Sequence, residues 1–292
     1  MRPDVKGKLA RRVFAWVAPL QYASQPMKYL RTHEASEPRI GLARRCVFPG
    51  LCWPRLAIAS LSIALVASGC AHFPVNEPLK TVNRQAGYRF QNSSSPANSE
   101  ELLLVLAFSG GGTRAASTAF GVLEGLANTP AGLPNRPHRL LDEVDAISSV
   151  SGGSFTAAYY GLWGDRIFSD FDSQFLKKRV ASAFIRSTLY PWNWVRLAST
   201  KFSRSDLAAE LYDRLLFQGA TFGDLADQSG RPFIIINATD IAMGERFAFT
   251  QDQFDLIGSD LSRFPLGRAV AASAAFPVLL NPIVLINYAA ER

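Results

Sequence analysis

Short apolar runs separated by helix-length segments constrain this chain most. Residues 102–108 (LLLVLAF) and 232–238 (PFIIINA) are continuous apolar runs, and residues 144–150 (VDAISSV) form a third strand candidate. A run with little polar alternation suits a strand buried on both faces. Between the runs lie helical patterns. Residues 114–128 place Ala115, Ala119, Val122 and Leu126 at helical spacing, with Ala116, Phe120 and Leu123 beside them. Residues 154–162, 170–185 and 205–217 also read as helical, the last with Leu207, Leu211 and Leu215 on one face. Residues 246–250 alternate like an edge strand, and 266–275 form a small-residue helix stopped by Pro277. Residues 283–287 make a last short strand. Strands alternating with helices predict an α/β fold with a mostly parallel sheet covered on both faces.

Apolar content of 48% with 19% charged residues excludes global disorder, and three Cys in 292 residues exclude a disulfide scaffold. The net charge of +7 suggests a nucleic-acid or anionic partner until its position is examined. Residues 1–55 hold 11 basic and 3 acidic side chains, whereas residues 56–292 hold 20 and 21. The basic character therefore belongs to a leader, and the sequence implies no nucleic-acid partner. After Arg55 come 14 uncharged residues, LAIASLSIALVASG, ending at Cys70. A basic stretch, a short apolar run and small residues form the layout of a secretory signal. The run is shorter than the roughly 20 residues of a spanning helix. A short uncleaved anchor or a buried helix is the alternative, and Met27 is a second candidate start.

Ala67-Ser68-Gly69-Cys70 resembles a bacterial lipobox, with Ala67 where Leu is usual. That resemblance implies lipidation of Cys70 as the first mature residue. Ala71 after the Cys implies a bacterial outer-membrane location. The expected division is a basic leader and lipoprotein signal (1–69), a lipidated Cys and flexible tether (70–100), and a catalytic domain (101–292).

Two strand–turn–helix junctions can carry chemistry. In Ser109-Gly110-Gly111-Gly112-Thr113-Arg114 consecutive glycines permit close backbone approach, and free N–H groups at a helix start can cradle an anion or oxyanion. The G-K-[ST] ending of a phosphate loop and the G-x-G-x-x-G dinucleotide pattern are both absent. Ser149-Val150-Ser151-Gly152-Gly153 fits a relaxed G-x-S-x-G nucleophile elbow. It makes Ser151 the candidate nucleophile and the Gly152 N–H a candidate oxyanion donor. Either turn alone is equally a tight turn without chemistry.

The two together resemble the patatin-like phospholipases. Gly110-Gly111-Gly112-Thr113-Arg114 matches that family's G-G-G-x-R/K, and Ser149 to Gly153 its G-x-S-x-G. Asn237-Ala238-Thr239-Asp240 with Arg246-Phe247, and Ala272-Ser273-Ala274-Ala275-Phe276-Pro277, resemble its bacterial lipoprotein branch. The resemblance covers about residues 102–280. It implies a three-layer patatin-like fold, lipid acyl hydrolysis and a Ser–Asp dyad without cofactor or metal. The implied site is Ser151 with oxyanion donors Gly110, Gly111, Gly112 and Gly152, with Arg114 available to hold a phosphate or brace the loop. The implied partners are a membrane lipid or other acyl ester, and the membrane itself through Cys70. His138 sits in a Pro-rich turn and reads as solvated, and His72 lies in the tether.

The family's dyad Asp sits in an Asp-Gly-Gly or Asp-Gly-Ala motif after the A-S-x-x-F-P block. No Asp-Gly dipeptide occurs in the 292 residues. The expectation is a catalytic domain incomplete at its C-terminus. Asp240 is the nearest substitute, and its place in the N-A-T-D block argues for a structural role. A non-catalytic envelope lipoprotein and an acyltransferase on the same scaffold are the rival functions. Leu189-Tyr190-Pro191-Trp192-Asn193-Trp194 can line an acyl channel or touch head groups, although aromatic core is the commoner role of such a cluster.

Overall fold

A computed structural model of the chain describes residues 76–93, 98–99, 101–132, 138–199, 202–228, 232–277 and 279–289, with 13–16 as backbone. The apolar run 56–69, Cys70 and His72 lie outside these residues. The described strands are β1 Val13–Trp16, β2 Glu77–Pro78, β3 Leu103–Phe108, β4 Val144–Val150, β5 Phe233–Asp240, β6 Glu245–Ala248 and β7 Ser259–Asp260. The α-helices are α1 Gly112–Ala127, α2 Gly152–Trp163, α3 Val180–Leu189, α4 Pro191–Leu197, α5 Arg204–Tyr212, α6 Phe222–Ala226, α7 Gln251–Leu256 and α8 Leu266–Ser273.

The central sheet runs β1-β3-β4-β5-β6, parallel throughout except for the antiparallel β5–β6 hairpin. Phe108 pairs with Ser149, and Val150 with Asn237. All three register neighbours thus end together, at the sheet's carboxyl edge. Helices flank this sheet, giving the mixed α/β fold expected from the alternation of elements.

Burial on both faces holds for β4 and β5 better than for β3. Leu106 and Phe108 are buried, Leu103, Leu104 and Val105 are half-buried, and Ala107 is exposed. In α1 the fully buried stripe is Ala116, Ala119 and Leu123, rotated slightly from the expected face. Helix α2 is buried from Gly152 to Leu162. It packs so tightly that a Cβ on Gly161 would lie 2.4 Å from Ile234 Cγ1. Phe155, Tyr159, Phe171 and Phe175 stack beside it.

The expected helix 170–185 is two elements. Ile167–Leu176 is a wide i→i+5 helix, which keeps Ile167, Phe171 and Phe175, spaced by four, on the buried side. The chain then turns at residues 177–179 into α3. The described part of the segment expected as a tether, residues 76–93 and 98–99, packs on the domain instead. Asn76, Tyr88 and Arg89 are buried, β2 pairs with β7, and Tyr88 stacks on Phe233 with ring centroids 4.5 Å apart. Pro and Ser content concealed these few anchoring side chains. Residues 283–287 form no strand; Ile286 N instead donates to Asn76 Oδ1 at 2.7 Å.

A buried ion pair ties α5 to α8. Asp206 Oδ1 accepts from Arg268 Nη1, and Oδ2 caps the helix by accepting from Ser203 N at 2.9 Å and Ser203 Oγ at 2.7 Å. Arg268 Nε and Nη2 have no hydrogen-bond partner among the described residues. The pair is therefore costly to break and far from optimal to keep. Asp206→Asn should lower unfolding free energy by about 3–5 kcal/mol in urea titrations, because it leaves a buried guanidinium uncompensated. Adding Arg268→Met should restore part of that loss. An Asp206→Asn midpoint equal to wild type would contradict the assignment.

Candidate active site

Strand β4 ends at Val150, and α2 begins at Gly152. The turn between them is one residue, Ser151, at φ 50° and ψ −117°. Among the described residues only Ser151 and Gln218 are non-glycine with positive φ. Gln218, at φ 55° and ψ 38°, is an ordinary left-handed helix cap. The ψ of Ser151 lies outside that region, so its backbone stores strain of about 1–3 kcal/mol.

Hydrogen bonds from three elements hold the strained residue. Ser151 N donates to Ser273 Oγ at 2.8 Å, and Ser151 O accepts from Ser154 N at 2.9 Å. Ser273 Oγ gives its own proton to Asn237 O at 2.6 Å. Ser154 Oγ, 3.1 Å from Ser273 Oγ, must then be the donor of that pair. One hydroxyl at the end of α8 thus joins the elbow, α2 and β5, with its hydrogen-bonding capacity filled.

Asn237 continues the brace. Its Nδ2 donates to Ser149 O and Ser148 Oγ, each at 3.0 Å, and its Oδ1 lies 3.5 Å from Arg246 Nη1. Ser149 stands where the elbow pattern has Gly. Its buried hydroxyl donates to Ile235 O at 3.1 Å, so the side chain is accommodated by the neighbouring strand.

The glycine loop lies against the elbow. A Cβ on Gly110 would sit 3.3 Å from Ser151 Cβ and 3.9 Å from Ser151 Oγ. A Cβ on Gly152 would sit 2.1 Å from Gly112 O, a clash with backbone that no rotamer relieves. Small residues are therefore required where the starts of α1 and α2 meet. Gly110 and Gly111 N–H have no hydrogen-bond partner among the described residues. Gly112 and Gly152 open their helices, where N–H groups lack intrahelical partners. Two helix N-termini thus meet where Gly110 borders Ser151. Unpaired N–H groups at helix starts are where developing negative charge can be stabilised.

The remaining sequence candidates fall elsewhere. Arg114 is exposed and its guanidinium makes no hydrogen bond or ion pair among the described residues. Asp240 Oδ1 accepts from Ala242 N at 2.8 Å and Met243 N at 3.2 Å, capping the β5–β6 turn. His138 is not solvated as expected, because it pairs with the buried carboxylate of Glu143. That pair sits at the opposite end of β4, about 20 Å of strand from Ser151, which removes His138 as its base. No carboxylate hydrogen-bonds Ser151 Oγ among the described residues, and none of their His, Cys, Asp or Glu side chains cluster as metal ligands. Cys70 lies outside the described residues. Sequence reasoning alone does not single out Ser154, Asn237 or Ser273 as site residues. The only sequence signal for the last two was their place in the N-A-T-D and A-S-x-x-F-P blocks.

A family model described as patatin-like phospholipase matches residues 106–288. Comparison with the curated proteins gives no match.

Ser273→Ala removes an acceptor from Ser151 N–H and a donor from Asn237 O. The expected cost is about 1–3 kcal/mol in urea denaturation. Ser273→Thr, which keeps the hydroxyl, should recover most of it. Equal stability of the alanine variant and wild type would contradict the bracing role.

Proposed function

Because the chain belongs to the patatin-like phospholipase family, whose members act on lipid or other acyl esters, we propose that it is a serine acyl hydrolase with Ser151 as nucleophile. The observation that carries this reading is the strained Ser151 set against free glycine amides. Ser151 Oγ forms a bond to the ester carbonyl carbon while its proton passes to a base. The carbonyl oxygen becomes an oxyanion facing the N–H groups of Gly110, Gly111, Gly112 and Gly152. The tetrahedral species expels the alcohol and leaves an acyl-serine, which water then cleaves. One oxyanion donor is worth about 2.7–4 kcal/mol of barrier.

The proton acceptor is the part that the described residues do not bring to Ser151. The family resemblance assigns it to an Asp in an Asp-Gly motif, and this sequence contains none. A general base contributes about 10²–10⁴-fold, so turnover by these 292 residues is expected to be low by that factor. The same observation favours a second reading, a non-catalytic lipoprotein that keeps the elbow but not the chemistry.

The leader's layout supports export and lipidation at Cys70, with the outer membrane of a bacterial envelope as the site of action. Incorporation of labelled palmitate that disappears in Cys70→Ser would support the anchor, and equal incorporation would exclude it. For the reaction, wild-type protein should release alcohol from a short-chain p-nitrophenyl ester slowly but above buffer. Ser151→Ala should abolish that release. Unchanged hydrolysis by the alanine variant would overturn the assignment.

A further inference from the structure

Residues 177–204 hold seven basic side chains and no acidic one, while the rest of residues 56–292 holds 13 and 21. This is the one strongly cationic stretch outside the leader. It is also where the aromatic cluster lies, and the cluster is not core. Trp192 is 66% exposed and Trp194 58%, and Tyr190, Leu189 and Ile185 are exposed beside them. Lys177 pairs with Asp172 and Arg196 with Glu210. Lys178, Arg179, Arg186 and Arg204 are exposed and have no acidic partner among the described residues.

The surface is built rather than frayed. Trp194 Nε1 donates to Thr188 O at 2.9 Å and Asn193 Nδ2 to Ser187 O at 2.8 Å, fixing the α3–α4 corner. The Arg196 guanidinium lies 3.9 Å from the centre of the Phe202 ring. Between this corner and α5 is a groove lined by Arg186, Trp192, Asn193, Arg196, Glu210 and Arg214. The chain also links α5, which borders that groove, to the candidate active site. Ser273 holds Ser151, and eight residues later the Asn281 carbonyl accepts from Ser205 Oγ at the start of α5. Exposed Phe276 and Leu279 lie on that connecting segment.

We propose that the α3–α4 corner is an interfacial docking surface for an anionic lipid bilayer. Indole and phenol rings favour the head-group boundary, where one end is apolar and the other wet. Unpaired Lys and Arg around them complement the negative surface of such a leaflet. A protein partner fits less well, because an acidic protein face offers no acyl region for the five exposed apolar side chains. The inference takes its purpose from the lipid-hydrolase reading, but its geometry and test do not depend on turnover.

The test uses the full chain carrying Cys70→Ser, so that no acyl anchor contributes, and reads binding rather than hydrolysis. Vesicles of phosphatidylglycerol mixed with phosphatidylcholine should bind it, and binding should weaken with salt. Trp192→Ser/Trp194→Ser, and separately Lys178→Glu/Arg179→Glu/Arg186→Glu, should each weaken binding by about tenfold or more. Vesicles with brominated acyl chains should quench the protein's fluorescence. Trp192→Phe/Trp194→Phe should keep the binding and lose most of that quenching. Unchanged affinity in both sets of variants, or the absence of quenching at Trp192 and Trp194, would overturn the proposal. Unchanged hydrolysis in Ser151→Ala would fail the active-site reading alone, and unchanged vesicle affinity in the docking variants would fail the docking surface alone.

Discussion

The backbone of Ser151 is the constraint on which the rest of this structure depends. A β-strand and a helix meet with one residue between them, and that residue is forced to positive φ without being glycine. Such a conformation persists only where its surroundings over-determine it. Here they do so through Ser273 Oγ on the Ser151 N–H, Asn237 O on the Ser273 proton, and Gly112 against Gly152. Helix α8 brings Ser273 to the elbow. Its own seat is fixed by the buried Arg268–Asp206 pair. The strain at the elbow is thus paid for by packing two elements away.

Electrostatics follow from the same geometry. Parallel β3, β4 and β5 end at one edge, so the helices after β3 and β4 both start there. Their first turns meet at Gly112 and Gly152, beside Gly110 and Ser151. Charge in the remainder of the chain is partitioned as well. Residues 1–55 carry the excess of basic groups, residues 177–204 carry a second and wholly basic stretch, and the remaining residues are acidic on balance. The net charge of +7 conceals this division.

Sequence pattern located β4 to the residue and β3, β5 and α1 to within two, because apolar runs and Gly-rich turns punctuate them sharply. It placed Ser151 and the glycine row together because both motifs follow strands. It missed what depends on long-range partners. Tyr88 and Asn76 looked like linker because their contacts, Ile234 and Ser259, are far away in sequence. His138 looked solvated because its Pro-rich surroundings gave no hint of buried Glu143. The helix carrying Phe171 is wider than the regular one that periodicity indicates, with Ile167, Phe171 and Phe175 buried. Ser149 in place of Gly looked like a weak motif until Ile235 O supplied its partner.

The most direct test of the account is covalent labelling of the full chain with a fluorophosphonate, followed by peptide mass mapping. A preformed elbow with its oxyanion amides in place predicts a single slow adduct, on Ser151. An adduct on another serine, or none while the protein is folded, would contradict it.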